Sequence, residues 1–368
     1  MTEGQVEAPA AAPSLEGSVA SQPPDCRAQG HATWARTLVA AAVVLAVGAS
    51  VGALSFFVER ALWLHPPVTT RSADGWRVES RHGRRFSGLA LCGERLIWQN
   101  GPSIELLDLA AGKLRLLGPG PGMRATWAPA IGERYAVWFE AVSGKASTAD
   151  VIAYDSVVGR RWKVAEIGEV YSLPSLSGTT AVWCSANGSA TAVSGVDIVT
   201  GERLAIADGY GSPHISQELV VWSAHDAWPL TARDLTSNRT WSVVPAAAGG
   251  RFAQIVLAQR VLAWGQPAVG GSATSVMKAG VGGGTTQVVA AAVAGLEGPA
   301  FDGTTVAWAQ DGPAGAGGVV MARRGESPAF VVATRSTPIL EVVVSGSTVA
   351  WLTQQGDVSV IETGELPR

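Results

Sequence analysis

Short apolar runs recur along the last three-quarters of the chain, and seven of them end in a tryptophan. A strand covered on one face alternates apolar and polar residues, so a continuous run indicates burial on both faces. The gaps between successive tryptophans are 40, 45, 39, 42, 44 and 43 residues, a near-constant period typical of repeat architectures. The seven residues are Trp98, Trp138, Trp183, Trp222, Trp264, Trp308 and Trp351.

A turn residue precedes each run, five positions before the tryptophan in six units and six positions before it in the other. Glycine there permits a positive φ in a tight hairpin. The turn residues are Gly93, Gly132, Gly178, Gln217, Gln259, Gly303 and Gly346. Another strand follows each tryptophan, and several of these end in Asp-x-x-x-Gly, where the Asp side chain can bond turn amides. The pairs are Asp108 and Gly112, Asp155 and Gly159, and Asp197 and Gly201, with Asp234 and Asn238 as a variant.

Each unit therefore holds four strands in about 42 residues, and seven such units predict an all-β, seven-bladed β-propeller of four-stranded blades, with six blades as the alternative. The G-x-x-V-A-W … D-x-x-x-G pattern resembles the repeats of the TolB-like and WD40-like β-propeller group over residues 75–368. This resemblance implies a fold and says little about function. TolB itself is less similar, because that family has six blades and an additional N-terminal α/β domain.

The last unit ends at Arg368 without residues for a fourth strand. Residues 75–80 precede the first unit and alternate like an edge strand. We expect them to complete the last blade, which would join both ends of the domain in one sheet and remove an open edge.

The chain before residue 75 predicts three segments. Residues 1–36 are rich in Ala, Pro, Ser and Glu and are expected to be disordered. Residues 37–58 carry no charge and are long enough to cross a bilayer as a transmembrane helix. Residues 59–74, with Pro66 and Pro67, form a tether that reaches about 55 Å at most.

A cleaved signal peptide is the competing interpretation of residues 37–58. The long preceding segment and the length of the apolar stretch favour an anchor. Flanking arginines are balanced, so charge does not set the orientation. A short tail, an anchor and a folded domain form a common bacterial layout, which predicts a single-pass membrane protein with an extracytoplasmic propeller.

Composition excludes several classes of function. The net charge of −3 provides no basic face for nucleic acid. The three cysteines show no CxxC or Cys/His spacing, and no histidine pair has metal-ligand spacing, so neither a metal nor a cofactor is predicted.

The densest polar and aromatic cluster in the loops after the tryptophans is His225, Asp226 and Trp228. It is the candidate ligand-binding loop, with a solvated loop and a packed Trp228 as the competing interpretation. The loops contain few titratable groups, which disfavours catalysis. The sequence predicts a membrane-anchored binding or scaffold module of the bacterial cell envelope, whose partner is a protein, a peptide or a cell-wall component. An exported propeller enzyme, such as a carbohydrate-active hydrolase or lyase, is the alternative.

Overall fold

The computed structural model describes residues 66–81, 83–119, 123–125, 128–142, 148–187, 190–223, 227–244, 251–268 and 273–367. The predicted segments 1–36 and 37–58 lie outside this part of the chain. Within the described ranges, no helix is long and apolar enough to cross a membrane.

The described chain forms seven antiparallel sheets, which are the blades of a propeller. It starts with a hairpin of β1 (Val68–Ser72) and β2 (Gly75–Glu79), followed by blades 1 to 7 in order. Blade 1 comprises β3 (Phe86–Cys92), β4 (Arg95–Asn100), β5 (Ser103–Asp108) and β6 (Lys113–Gly118). Blade 2 comprises β7 (Met123–Ala125), β8 (Ala130–Ile131), β9 (Tyr135–Val142), β10 (Ala149–Asp155) and β11 (Arg160–Ile167). Blade 3 comprises β12 (Ser175–Ser177), β13 (Thr180–Asn187), β14 (Ala190–Asp197) and β15 (Arg203–Asp208).

The other four blades follow the same plan. Blade 4 comprises β16 (His214–Ser216), β17 (Leu219–Trp222), β18 (Leu230–Asp234) and β19 (Arg239–Val243). Blade 5 comprises β20 (Ile255–Ala258), β21 (Val261–Pro267), β22 (Thr274–Gly280) and β23 (Gln287–Val293). Blade 6 comprises β24 (Glu297–Phe301), β25 (Thr305–Asp311), a 3-10 turn (Pro313–Gly315), β26 (Gly318–Arg324) and β27 (Phe330–Arg335). Blade 7 comprises β28 (Ile339–Ser345), β29 (Thr348–Gln355), β30 (Val358–Glu365) and the β2–β1 hairpin.

The seven blades form a closed ring. The innermost strands contact one another in the order β3, β8, β12, β16, β20, β24, β28 and back to β3. Strand β2 pairs with β30, with Val78 opposite Ile361, so the N-terminal segment completes blade 7 as predicted. The all-β, seven-bladed prediction is therefore confirmed, and the six-bladed alternative is wrong.

The signature tryptophans lie on the second strand of each blade and pack against the preceding blade. Trp98, Trp138 and Trp264 are fully buried, and only Trp222 is half-buried. Trp183, for example, shares a cluster with Phe139 of blade 2. Their regular spacing thus reflects packing between blades.

The turn predictions hold in nearly every unit. The four glycines at the hairpin turns have φ between 57° and 101°, and Gln217 and Gln259 adopt the same left-handed region at 54° and 48°. Gly132 does not: it lies one position earlier, where blade 6 has Asp302, and its backbone N–H donates to the carbonyl of Tyr135 as that of Asp302 donates to Thr305. In the Asp-x-x-x-Gly turns, side chains cap the turn amides, as where Asp197 Oδ1 accepts from Thr200 N at 2.7 Å.

The structure also revises the start of the propeller. Residues 68–72 were expected in the tether, yet they form β1, which pairs with β2 as a fifth, outermost strand of blade 7. The sequence VTTRS is mostly exposed and has no apolar run, as suits an edge strand.

Candidate functional site

The predicted ligand-binding loop is only partly described. His225 and Asp226 lie outside the described residues. Trp228 is half-buried and packs edge-on against Phe252 and Trp264, with ring centroids 5.5 and 5.3 Å apart. Its indole N–H is buried and has no hydrogen-bond partner among the described residues. The ring therefore packs at the boundary of blades 4 and 5, and its role in ligand binding stays a prediction.

Four of the seven signature tryptophans bind a polar partner on their own strand. In four blades the residue two positions further on accepts the indole N–H, because residues i and i+2 share a face of a strand. The pairs are Trp138 with Glu140 (2.7 Å), Trp183 with Ser185 (3.2 Å), Trp264 with Gln266 (3.2 Å) and Trp308 with Gln310 (3.1 Å). These indoles are thus used internally, which supports a structural role.

Two residues beside each tryptophan lie in one row with it and face the cleft to the preceding blade. They are its cross-strand partner on the third strand and that residue's partner on the fourth. The rows are Trp98–Glu105–Leu116, Trp138–Ile152–Lys163, Trp183–Ser194–Ala205, Trp222–Thr231–Ser242, Trp264–Met277–Val288, Trp308–Met321–Val331 and Trp351–Glu362–Arg77. Blades 3 and 4 have small residues at both positions, and Ser194 with Ala205 is the smallest pair.

Long side chains bridge the outer part of several clefts. Between blades 3 and 4, Arg233 donates to the carbonyls of Ala205 and Ile206. Further bridges of this kind include Arg115 to the Tyr154 hydroxyl (2.9 Å), Arg323 to the carbonyls of Val288 and Val289 (both 3.1 Å), and Arg335 to Glu362 (2.6 Å). Among the described residues, no arginine spans the cleft between blades 2 and 3.

Fourth-strand tryptophans hold three other blade pairs together. Trp162 of blade 2 donates to the carbonyl of Ile198 in blade 3 at 3.1 Å. Trp76 donates in the same way to Leu109, and Trp241 to Val281. The Trp162 contact joins blades 2 and 3 at the Asp197 turn. The rest of the cleft between these two blades is unfilled.

The unfilled cleft is a groove of about 820 Å³, which we name the Trp183 groove. Its volume is in the range of ligand sites. One wall is the outer strand of blade 2 with its following loop, and the other is the face of blade 3. The lining residues are Thr148, Ala165, Glu166, Ile167, Gly168, Glu169, Tyr171, Trp183, Ser185, Ala186, Ser194, Gly195, Arg203, Leu204 and Ala205.

Polar groups at the rim of the Trp183 groove are arranged by short contacts. Lys163 lies 2.9 Å from Glu166 and 2.7 Å from Asp150, so its single charge is shared between two carboxylates. The Tyr171 hydroxyl donates to Glu169 at 3.2 Å. Desolvation and this carboxylate raise the pKa of Tyr171, so the hydroxyl remains a donor at neutral pH. Arg203 is exposed and forms no ion pair with a described residue, so its guanidinium faces solvent.

The channel-lining strands carry a second set of ionisable residues. Burial raises the pKa of Glu341 on β28 to about 7, and it also raises the pKa of Glu297 on β24. Burial lowers the pKa of His214 on β16 to about 4, so this imidazole is neutral at pH 7. Within the described ranges, no group of three or more His, Cys, Asp or Glu residues could hold a metal ion.

No family model matches the chain, and no curated protein does. Among solved structures, an oligogalacturonate lyase in complex with manganese has a TM-score of 0.59 at 14% identity, over 83% of this chain and 97% of the lyase. The oligogalacturonate lyase of Vibrio parahaemolyticus has a TM-score of 0.58 at 13% identity, over 83% and 98% of the two chains. The β-propeller domain of the Trilobed protease from Pyrococcus furiosus scores 0.57 at 10% identity, over 77% and 96%.

These likenesses show the fold alone. They confirm the β-propeller fold that the resemblance of residues 75–368 to the TolB-like and WD40-like group implies. The Trp183 groove was not predicted, although its signal was present in the repeat: Ser194 and Ala205 stand where blades 5 and 6 have methionine and valine.

Proposed function

We propose that this protein is a binding module whose ligand occupies the Trp183 groove. The observation that carries the proposal is the size of this cleft, about 820 Å³, against about 590 Å³ between blades 6 and 7 and about 380 Å³ between blades 5 and 6, where bulky rows and bridging arginines narrow the space. An open cleft leaves apolar surface in water and so forgoes the free energy of burying it. A local departure from good packing of this kind is expected at functional sites.

We further propose that residues 37–58 anchor the chain in the membrane of a bacterial envelope, with the propeller on the extracytoplasmic side. The support is the uncharged stretch of 22 residues. The partner would then be a protein, a peptide or a cell-wall component, and nucleic acid is disfavoured by the net charge of −3.

Site-specific photo-crosslinking tests the groove. A photo-activatable residue replaces Ala205 in the full chain, which is expressed in its own cells. The matched control carries it at Leu116, the exposed fourth-strand position of the same row in blade 1. We expect crosslinked adducts at position 205 that are absent at position 116. Equal labelling of the two positions would contradict the proposal.

A second candidate function, the carbohydrate-active hydrolase or lyase, is favoured by one observation. Glu297 and Glu341 are two carboxylates on adjacent channel-lining strands, and acid–base catalysis needs such convergent groups. Incubation of the full chain with tetragalacturonate tests this candidate. New reducing ends or an unsaturated product, lost in Glu341→Gln, would support it over the binding module.

A further inference from the structure

We propose that the ligand of the Trp183 groove is a neutral oligosaccharide. This inference rests on the proposed binding function and adds the chemical class of the ligand. The argument uses the lining groups, their charge balance and the hydrogen bonds already made at the outer edge of blade 3.

The lining offers the mixture of contacts that a sugar requires. Ser194 and Thr148 present hydroxyls that both donate and accept hydrogen bonds, and the Tyr171 hydroxyl, which donates to Glu169, can still accept one. Arg203 adds a planar donor at the rim, and Glu169 adds an acceptor. Sugar hydroxyls alternate between donor and acceptor, so this set satisfies them at several points along a groove.

Apolar positions alternate with these polar groups. Ala165, Ala186 and Leu204 line the same walls. Such patches fit the C–H faces of pyranose rings. A fully apolar ligand would bury the hydroxyls without partners, which carries a desolvation cost.

The charge balance disfavours an anionic ligand. The lining carries the carboxylates of Glu166 and Glu169 and a single cation, Arg203. Lys163, 2.9 Å from Glu166, is already engaged there and with Asp150 at 2.7 Å. An anionic sugar polymer would therefore meet carboxylates on the wall with little compensating charge.

An extended peptide is the other occupant to weigh, because peptides commonly add to an exposed strand edge. At blade 3 that edge is β15. Arg233 of blade 4 already donates to the carbonyls of Ala205 and Ile206. An added strand would lose these acceptors, so the edge beside the groove is a poor template for a peptide.

Isothermal titration calorimetry of the full chain, in a sugar-free detergent, tests the proposal. The probes are cellotetraose, chitotetraose and maltotetraose, with tetragalacturonate as the anionic probe and tetra-alanine as the peptide probe. We expect at least one neutral tetrasaccharide to bind, and to bind at least tenfold more tightly than tetragalacturonate or tetra-alanine.

A cleft-filling variant places the binding in the groove. Ser194→Met with Ala205→Val introduces the row found in blades 5 and 6, so the propeller geometry already accommodates it. We expect affinity to fall at least tenfold with an unchanged melting temperature. The control Thr231→Met with Ser242→Val introduces the same methionine and valine at the matching row positions of blade 4 and should bind as the parent does.

Two results would overturn the proposal: no neutral tetrasaccharide binds the parent chain, or binding survives in the filled variant. Crosslinking at position 205 separates this failure from failure of the binding function itself. Specific adducts without tetrasaccharide binding would overturn the ligand class alone, whereas equal labelling at positions 205 and 116 would refute the binding function.

Discussion

Glu341 makes the stability of this propeller depend on pH, through a contact between blades 7 and 1. Its Oε1 atom accepts from the backbone N–H of Leu89 at 2.8 Å, and the N–H of Gly88 also donates to this carboxylate. A bulge in β3 between Ser87 and Ala90 releases these amides from the strand ladder. Burial raises the pKa to about 7, and the nearby charge of Glu297 contributes in the same direction.

The sign of the effect follows from proton binding. The unfolded carboxyl has its ordinary pKa of 4.5, so between about pH 4.5 and 7 the folded state binds more protons than the unfolded state. The contribution of Glu341 to stability is therefore highest below pH 4.5 and falls as the pH rises towards 7. A difference between 4.5 and about 7 corresponds to roughly 3 kcal/mol lost above pH 7.

The measurement is the melting temperature of the full chain and of Glu341→Gln from pH 4.5 to 8.5. Glutamine keeps an oxygen acceptor for Leu89 N but does not ionise. At about 2 °C per kcal/mol for a domain of this size, the variant should gain roughly 6 °C on the parent between pH 4.5 and 8.

Glu94→Gln, at an exposed turn position, is the matched control and should track the parent at every pH. Groups remote from Glu341 titrate equally in all three proteins, so the difference curves report Glu341 together with Glu297, whose charge interacts with it. A difference between Glu341→Gln and the parent that does not change with pH would refute the reasoning.

Three further predictions concern the repeat. Deletion of residues 75–81 removes β2 from blade 7 and should lower the melting temperature of the full chain by more than 10 °C, measured by circular dichroism; an unchanged value would contradict ring closure by β2. Trp162→Phe keeps an aromatic ring but removes the donor to Ile198 and part of the indole packing, so chemical denaturation should show a loss of at least about 1 kcal/mol, and no loss would exclude a stabilising role for this bond. Asp197→Ala leaves two turn amides without their acceptor and should cost about 1 to 2 kcal/mol of stability at pH 7. Hydrogen bonds hold the pKa of Asp197 below its ordinary value, and protonation weakens these bonds in the parent, so the substitution should cost less at pH 3.

The repeat could be predicted from sequence because its determinants are local. A tryptophan closing an apolar run, a turn residue five positions earlier and an Asp-x-x-x-Gly turn lie within one blade, so a single period exposes all three. The left-handed backbone of Gln217 and Gln259 shows that position sets the turn even where glycine is missing.

Strand β1 was missed for a physical reason. Residues Val68–Ser72 lie at the outer edge of blade 7 and bury almost nothing, so no apolar pattern marks them. What holds the strand is pairing with β2, as where Thr70 lies opposite Arg77. Edge strands held by backbone pairing leave little trace in hydrophobic periodicity.

The Trp183 groove was missed because it is not a property of one strand. It forms where Ser194 and Ala205 are both small and where Val196, at the position that Arg233 occupies in blade 4, is too short to cross the cleft. Each residue is ordinary in isolation. Their combined effect appears only when strand register brings them to one face of blade 3.

A repeat protein gains its stability from positions that all units share, so specificity has to come from positions where one unit departs. In this propeller the shared positions, such as Trp183 and its acceptor Ser185, hold each blade to its neighbour. The positions where one blade departs from the others differ in how they close the cleft to the preceding blade. Met277 fills its cleft with a bulky side chain, and Arg233 bridges its cleft with hydrogen bonds. At Ser194 the cleft stays open. A blade can therefore acquire a binding groove through two small substitutions without disturbing the ring, because the tryptophan packing that maintains the ring lies deeper in the same cleft.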